Sequence, residues 1–221
     1  MLDIAYILFY FSYFSILIPI FFLLGRKQNF KIILIRVLGI LLFASALSDL
    51  GGYILISMGK SNILIANIYS VVQFFLLSII YYLLLEKKKI VYIASILFSL
   101  FFILNASFIQ PFNEFQSWPL VLESIIFIIF SIIYYGQMLK SKPLIDFVIF
   151  YRFWLNSALF LYFAFNLYIF ALSNYIFKNM EAEVGIITWS FHNINNIGKN
   201  IIFALAIYCV KMKGRIYDLS T

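Results

Sequence analysis

The chain has 221 residues, 65% of them hydrophobic and only 11% charged. Soluble domains carry about 25% charged and about 45–50% apolar residues, so most of this surface is unsuited to water and suited to lipid. The formal net charge of +7 does not imply a nucleic-acid partner, because the cations gather in the short loops between apolar runs, where lipid headgroups accept them.

A membrane-spanning helix takes about 20 mostly apolar residues. The sequence supplies seven such runs, at about 4–24, 32–57, 63–85, 90–109, 118–139, 148–174 and 187–210. They are apolar all round, whereas barrel strands would alternate with period two. The expected fold is all-α: one domain over 1–221, a polytopic seven-transmembrane-helix bundle with no loop long enough for a folded soluble domain. The first run has no basic stretch before it and exceeds an ordinary signal-peptide core. Its cations follow it, at Arg26, Lys27 and Lys31, which favours a signal anchor with its N-terminus outside. Pro19 is expected to kink this run, because it lacks the N–H of a helical hydrogen bond. Gly51 and Gly52 allow close approach near the outer end of span two. The loop at about 110–117 reads as a plain connection, with a short lid as the alternative. No internal repeat is visible, and Cys209 reads as a small packing residue.

With the N-terminus outside, the inner face receives Arg26, Lys27, Lys31, Arg36, Lys87, Lys88, Lys89, Lys140, Lys142, Arg152, Lys211, Lys213 and Arg215, which is thirteen of the sixteen cations. The outer face receives Lys60 and Lys178, and Lys199 is left inside span seven. Every loop pair obeys the positive-inside rule, so the expectation is N-out and C-in. Asp3, Glu114, Glu181 and Glu183 fall outside. Trp118 and Trp189 are placed as an outer aromatic belt.

Polar groups inside a span are costly and usually face the bundle interior. Span seven carries FHNINNIGKN. His192, Asn195, Asn196 and Lys199 follow i, i+3, i+4, i+7 and are expected on one face. Lys199 lies about twelve residues in, roughly 18 Å deep, and requires a carboxylate, water or neutrality. Asp49 in span two and Glu123 in span five are its candidate partners. Ser45, Ser48 and Gly52 share a face with Asp49. Gln73 and Asn67 in span three and Asn166 in span six fall in the same outer half, while Arg152 and Asn156 fall near the inner end. The expected ligand-binding set is Lys199, His192, Asn195, Asn196, Asp49, Glu123 and Gln73, in a polar cavity open to the outside.

The segments WLNSALFLYFAFNLYIF and NINNIGKNIIFALA resemble those of small seven-helix membrane proteins of Bacteroidota, over most of the chain. That group has no assigned activity, but its genes often stand beside sensor histidine kinases. The resemblance implies a multi-pass protein of a bacterial inner membrane, receptor-like, sensing a small molecule and signalling through a partner such as a sensor kinase. The alternative is a carrier for a small solute or proton. The size and orientation are similar to those of SWEET-type sugar carriers, although their Pro-Gln loop pair is missing and Gln110-Pro111 stands in an outer loop instead. A rhodopsin-like protein with retinal on Lys199 fits the helix count, but Gln73 stands where such proteins usually have a carboxylate. Otherwise no cofactor is expected. A zinc enzyme would need more than one His and one Cys. Ser45, Ser48 and Ser70 lie in no nucleophile motif. Acid–base hydrolysis by Asp49 and Glu123, or a structural subunit without a ligand, complete the alternatives.

Overall fold

The computed structural model describes residues 2–25, 27–140 and 150–217, with the side chains of Lys27, Gln28 and 211–217 outside that description. Arg26, Lys142 and the start of the sixth expected span therefore lie outside the described residues, as do the side chains of Lys211, Lys213 and Arg215. The described chain is helical throughout: α1 (Leu2–Ser15), α2 (Leu17–Leu24), α3 (Ile33–Ser57), α4 (Ile63–Leu84), α5 (Lys88–Leu104), α6 (Ser117–Lys140), α7 (Tyr151–Asn179) and α8 (Ala182–Tyr217). Six stretches of it are long and apolar enough to cross a membrane: Leu2–Leu24, Ile33–Ser57, Ile63–Leu84, Lys88–Ile109, Ser117–Lys140 and Tyr151–Asn179. They fit a multi-pass membrane protein. The seventh long helix, α8, is set apart by its polar middle, His192 to Asn200.

The first rod breaks where Pro19 predicts. α1 stops at Ser15 and α2 begins at Leu17, one turn before the proline, whose missing N–H leaves the Ser15 carbonyl without its i+4 donor. Asn29 folds back to cap the end of α2, donating to the Phe22 and Leu23 carbonyls at 3.1 and 3.2 Å. α3 ends in a Schellman turn: Gly59, at φ 71°, donates to the Ile56 carbonyl at 2.9 Å and Lys60 to that of Leu55 at 2.8 Å. Such a left-handed residue costs glycine no steric strain. Beyond α5 one π-helical turn, Asn105–Ile109, sends the chain into the 110–116 loop. α7 runs five residues past its expected end at 174, and α8 starts five before 187. Apolar composition marks where lipid ends, while backbone hydrogen bonding continues beyond it.

Each long helix packs on the next in sequence, and the ring closes where α8 packs on α1 and α2 as well as on α7. Two hydrogen bonds clasp this closure: Asn196 Nδ2 donates to Ser12 Oγ at 2.9 Å and Asn200 Nδ2 to Ser15 Oγ at 2.8 Å. The perimeter is apolar and open, with Phe108 83% and Phe21 74% exposed. The interior holds an aromatic stack in which Phe74 lies 3.6 Å from Phe98 between ring centroids. Phe127 packs against Phe74, Tyr81 and Phe163. Below it Asn156 is fully buried; its Oδ1 lies 3.2 Å from the Tyr81 hydroxyl and its Nδ2 donates to the Ser131 carbonyl. This interior separates a cavity at the N-terminal end from the end bearing Lys31, Lys87 to Lys89 and Lys140.

Candidate ligand-binding cavity

α8 brings Trp189, His192, Asn193, Asn196 and Lys199 to one side of a cavity of about 190 Å³. α3 brings Ser45, Ser48 and Asp49 to it, α4 brings Asn67, Tyr69 and Gln73, α1 brings Ser12 and Tyr13, and α7 brings Tyr162. The cavity meets a wider space of about 660 Å³ at the N-terminal end of the bundle through a neck that the two share, Phe9, Asn62, Ala66, Phe115, Trp189 and Asn193. Beneath it is a void of about 10 Å³, room for about one water at most. Leu41, Leu42, Leu77, Phe163 and Phe203 close it there.

The charged groups are not paired as an ion pair would require. Among the described residues the ion pair is Lys178 with Glu114, both partly exposed. Neither Lys199 nor Asp49 has a hydrogen-bond or ion-pair partner among those residues, so their charged atoms are more than 4.0 Å apart. Lys199 Nζ lies instead 4.3 Å from the centroid of the Tyr162 ring. Such a contact is worth about 2 kcal/mol or more when desolvated, and it holds the ammonium without consuming a carboxylate.

His192 is fixed from two sides. Its Nδ1 is 2.9 Å from Asn166 Oδ1, while Asn166 Nδ2 donates to the Tyr162 carbonyl at 2.7 Å. A carbonyl oxygen only accepts, so Nδ1 carries the proton, and Nε2 is the remaining ring nitrogen. The ring leans on Trp189, with centroids 4.6 Å apart. The sequence reading placed Trp189 in a lipid belt; the structure turns it inward, between His192, Phe115 and Phe177. Trp118 is 49% exposed at the start of α6, as a belt residue would be.

Of the seven expected site residues, Lys199, His192, Asn196, Asp49 and Gln73 line the cavity. Glu123 stands one layer behind: it is fully buried, its Oε1 accepts from Gln73 Nε2 at 3.1 Å, and its Oε2 has no hydrogen-bond partner among the described residues. Asn195 is not brought to the site; it lines a groove between α7 and α8 with Tyr168 and Phe191. Neighbouring helix residues point about 100° apart, so a face that runs from Asn193 through Asn196 to Lys199, about 60° to either side, leaves Asn195 outside. The residues that sequence reasoning missed are Ser12, Tyr13, Tyr69, Tyr162 and Asn193. Ser12 and Ser15, three apart in an apolar run, were the available signal for α1. Tyrosines are too common here to carry one, with 16 in the chain.

The 110–116 loop forms part of the wall, and the structure ties it down. Asn67 Nδ2 donates to the carbonyls of Phe112 and Glu114, both at 2.8 Å. Asn174 Nδ2 donates to the Phe115 carbonyl at 3.0 Å. Asn105, Gln110, Gln116 and Ser117 bond one another beneath it. These contacts hold Phe115 against Phe177 and Trp189. Among the described residues no cluster of three His, Cys, Asp or Glu side chains is placed to hold a metal. No family model, curated protein or solved structure matches the chain.

Proposed function

We propose that the chain is a seven-span protein of a bacterial inner membrane, N-terminus outside and C-terminus in the cytoplasm, that binds a small polar molecule in the Asp49–Lys199 cavity and signals its occupancy to a partner such as a sensor kinase. α8 is the seventh span in this reading; of its polar middle, His192, Asn193, Asn196 and Lys199 face the cavity and Asn200 faces α1, while Asn195 lies in the groove with α7. The observation that carries it is that a carboxylate and an ammonium, neither with an ion-pair partner among the described residues, line one cavity that opens at one end of the bundle. Bare opposite charges held apart in a span are costly to keep, and a ligand that answers them repays that cost.

Sensing is favoured over carriage by the cavity floor. The side chains below Gln73 and Lys199 are mainly large and apolar, with the buried amide of Asn200 among them, and they leave a space of about 10 Å³, room for one water at most. α8 runs from the neck of the cavity to Tyr217 at the opposite end, a continuous rod through which a shift at Lys199 would reach a cytoplasmic partner.

Cysteine accessibility tests the reading. In a Cys209→Ala background, Ser48→Cys and Asn193→Cys are treated in intact cells with a membrane-impermeant maleimide. Both are expected to label, and Ser131→Cys, buried in the core, is expected to stay unlabelled. Protection of both cavity positions would overturn an outward-open site.

A further inference from the structure

The geometry points to a small zwitterion with an apolar body, of the amino-acid type, as the ligand, its ammonium group at Asp49 and its carboxylate at Lys199. This inference rests on the reading of the cavity as a ligand site open at the N-terminal end.

The two charges belong to different helices, α3 and α8, and line the same cavity without touching. A simple anion would answer Lys199 but face Asp49 as a like charge. A simple cation would answer Asp49 but face Lys199. Like-charge contacts of this kind reject partners in a low-dielectric site. A zwitterion satisfies both groups at once and adds no net charge to the cavity.

The uncharged residues agree with this choice. Gln73, Asn196 and Ser48 line the same space, and His192 adds a ring already oriented by Asn166. Hydrogen bonds from such side chains orient a ligand without altering the balance of charge. Lys199 is held over the Tyr162 ring, so its N–H donors remain for a carboxylate. Beside Asp49 stands Tyr13, tilted at 50° against Phe9 with centroids 4.6 Å apart, and aromatic faces attract an ammonium group.

Size and shape complete the argument. A volume of about 190 Å³ is below the roughly 300–1,000 Å³ of pockets for drug-sized ligands, and suits a small solute. Where the cavity meets the wider space, Phe9, Ala66, Phe115 and Trp189 offer apolar surface to a side chain that points outward, beside Asn62 and Asn193.

The test uses the purified full-length chain in lipid nanodiscs and two matched trios of probes. One trio is L-phenylalanine, 3-phenylpropionate and phenethylamine; the other is L-leucine, 4-methylpentanoate and 3-methylbutylamine. Binding is read by calorimetry and by thermal shift. In at least one trio the zwitterion is expected to bind about tenfold or more tightly than both singly charged analogues. Lys199→Met is expected to make the amine the better ligand, and Asp49→Asn the acid. The wild-type trios decide the matter even where a variant fails to fold. A singly charged analogue that matches the zwitterion in both trios, or no binding by any of the six probes, overturns the inference. Persistent maleimide labelling at Ser48→Cys and Asn193→Cys alongside that result leaves the open cavity standing and removes only the zwitterion; loss of labelling removes both.

Discussion

Lys199 decides whether the polar residues of α8 serve a site or only hold helices together. A lysine at the centre of a span costs about 2.5–3.5 kcal/mol on insertion scales. Its contact with the Tyr162 ring returns about 2 kcal/mol, and among the described residues no carboxylate oxygen lies within 4.0 Å of it. Lys199→Met is therefore expected to keep stability within about 1 kcal/mol of wild type, or to raise it, in a thermal melt in detergent. A loss of about 3–5 kcal/mol would instead show that a buried ion pair had been broken. The residue scale is also where the sequence was only partly legible. Helical spacing was enough to group His192, Asn196 and Lys199 and to point at Asp49. It did not separate Asp49, which lines the cavity, from Glu123, which stands behind Gln73, because both lie at similar depth on helices whose rotation the sequence does not fix. Asn195 entered the set because i, i+3, i+4 spacing describes a stripe wider than the cavity.

Among the elements, the 110–116 loop was the least legible. Its Gln, Asn and Glu residues read as an ordinary connection, because the groups that bind it are remote: Asn67 is 45 residues from Phe112 and Asn174 is 59 from Phe115. The structure makes it a wall of the site, carrying Phe115 to the neck. Hydrogen bonds within membrane proteins average about 0.6 kcal/mol and reach about 1.7, and Asn67 donates two of them. Asn67→Ala is expected to cost about 1–3 kcal/mol and to speed hydrogen exchange at 112–116, read by mass spectrometry on the same sample. Unchanged exchange there would mean that Asn174, the Lys178–Glu114 pair and the bonds among Asn105, Gln110, Gln116 and Ser117 suffice to hold the loop. Pro19, by contrast, was legible, since a missing N–H acts on its own helix and needs no partner.

For the whole molecule, apolar run length was enough to place every long helix, with only the ends in error, because lipid thickness sets length while capping sets boundaries. The order of helices around the ring was not legible, since it depends on which faces meet. Orientation rests on charge. Lys31, Lys87 to Lys89 and Lys140 stand at one end of the bundle, and Lys60 and Lys178 at the other. In the Cys209→Ala background, Lys60→Cys is expected to label with an impermeant reagent in intact cells, and Glu86→Cys only after permeabilisation. The reverse pattern would invert the topology and place the cavity mouth in the cytoplasm.

The clasp between the first and last helices has a consequence for biogenesis. Ser12 and Asn196 are 184 residues apart in the chain, and Ser15 and Asn200 are 185 apart. A ribosome delivers α1 to the membrane long before α8 exists. Until then the serines of α1 face lipid or transient neighbours, and Asp49 awaits the helix that will stand opposite it. Completing the bundle is thus a late docking event, and the polar chamber comes into being with it. A protein arrested before α8 would present a cleft lined with hydroxyls, amides and a carboxylate to the bilayer, which is the kind of surface membrane proteases and insertion factors act upon.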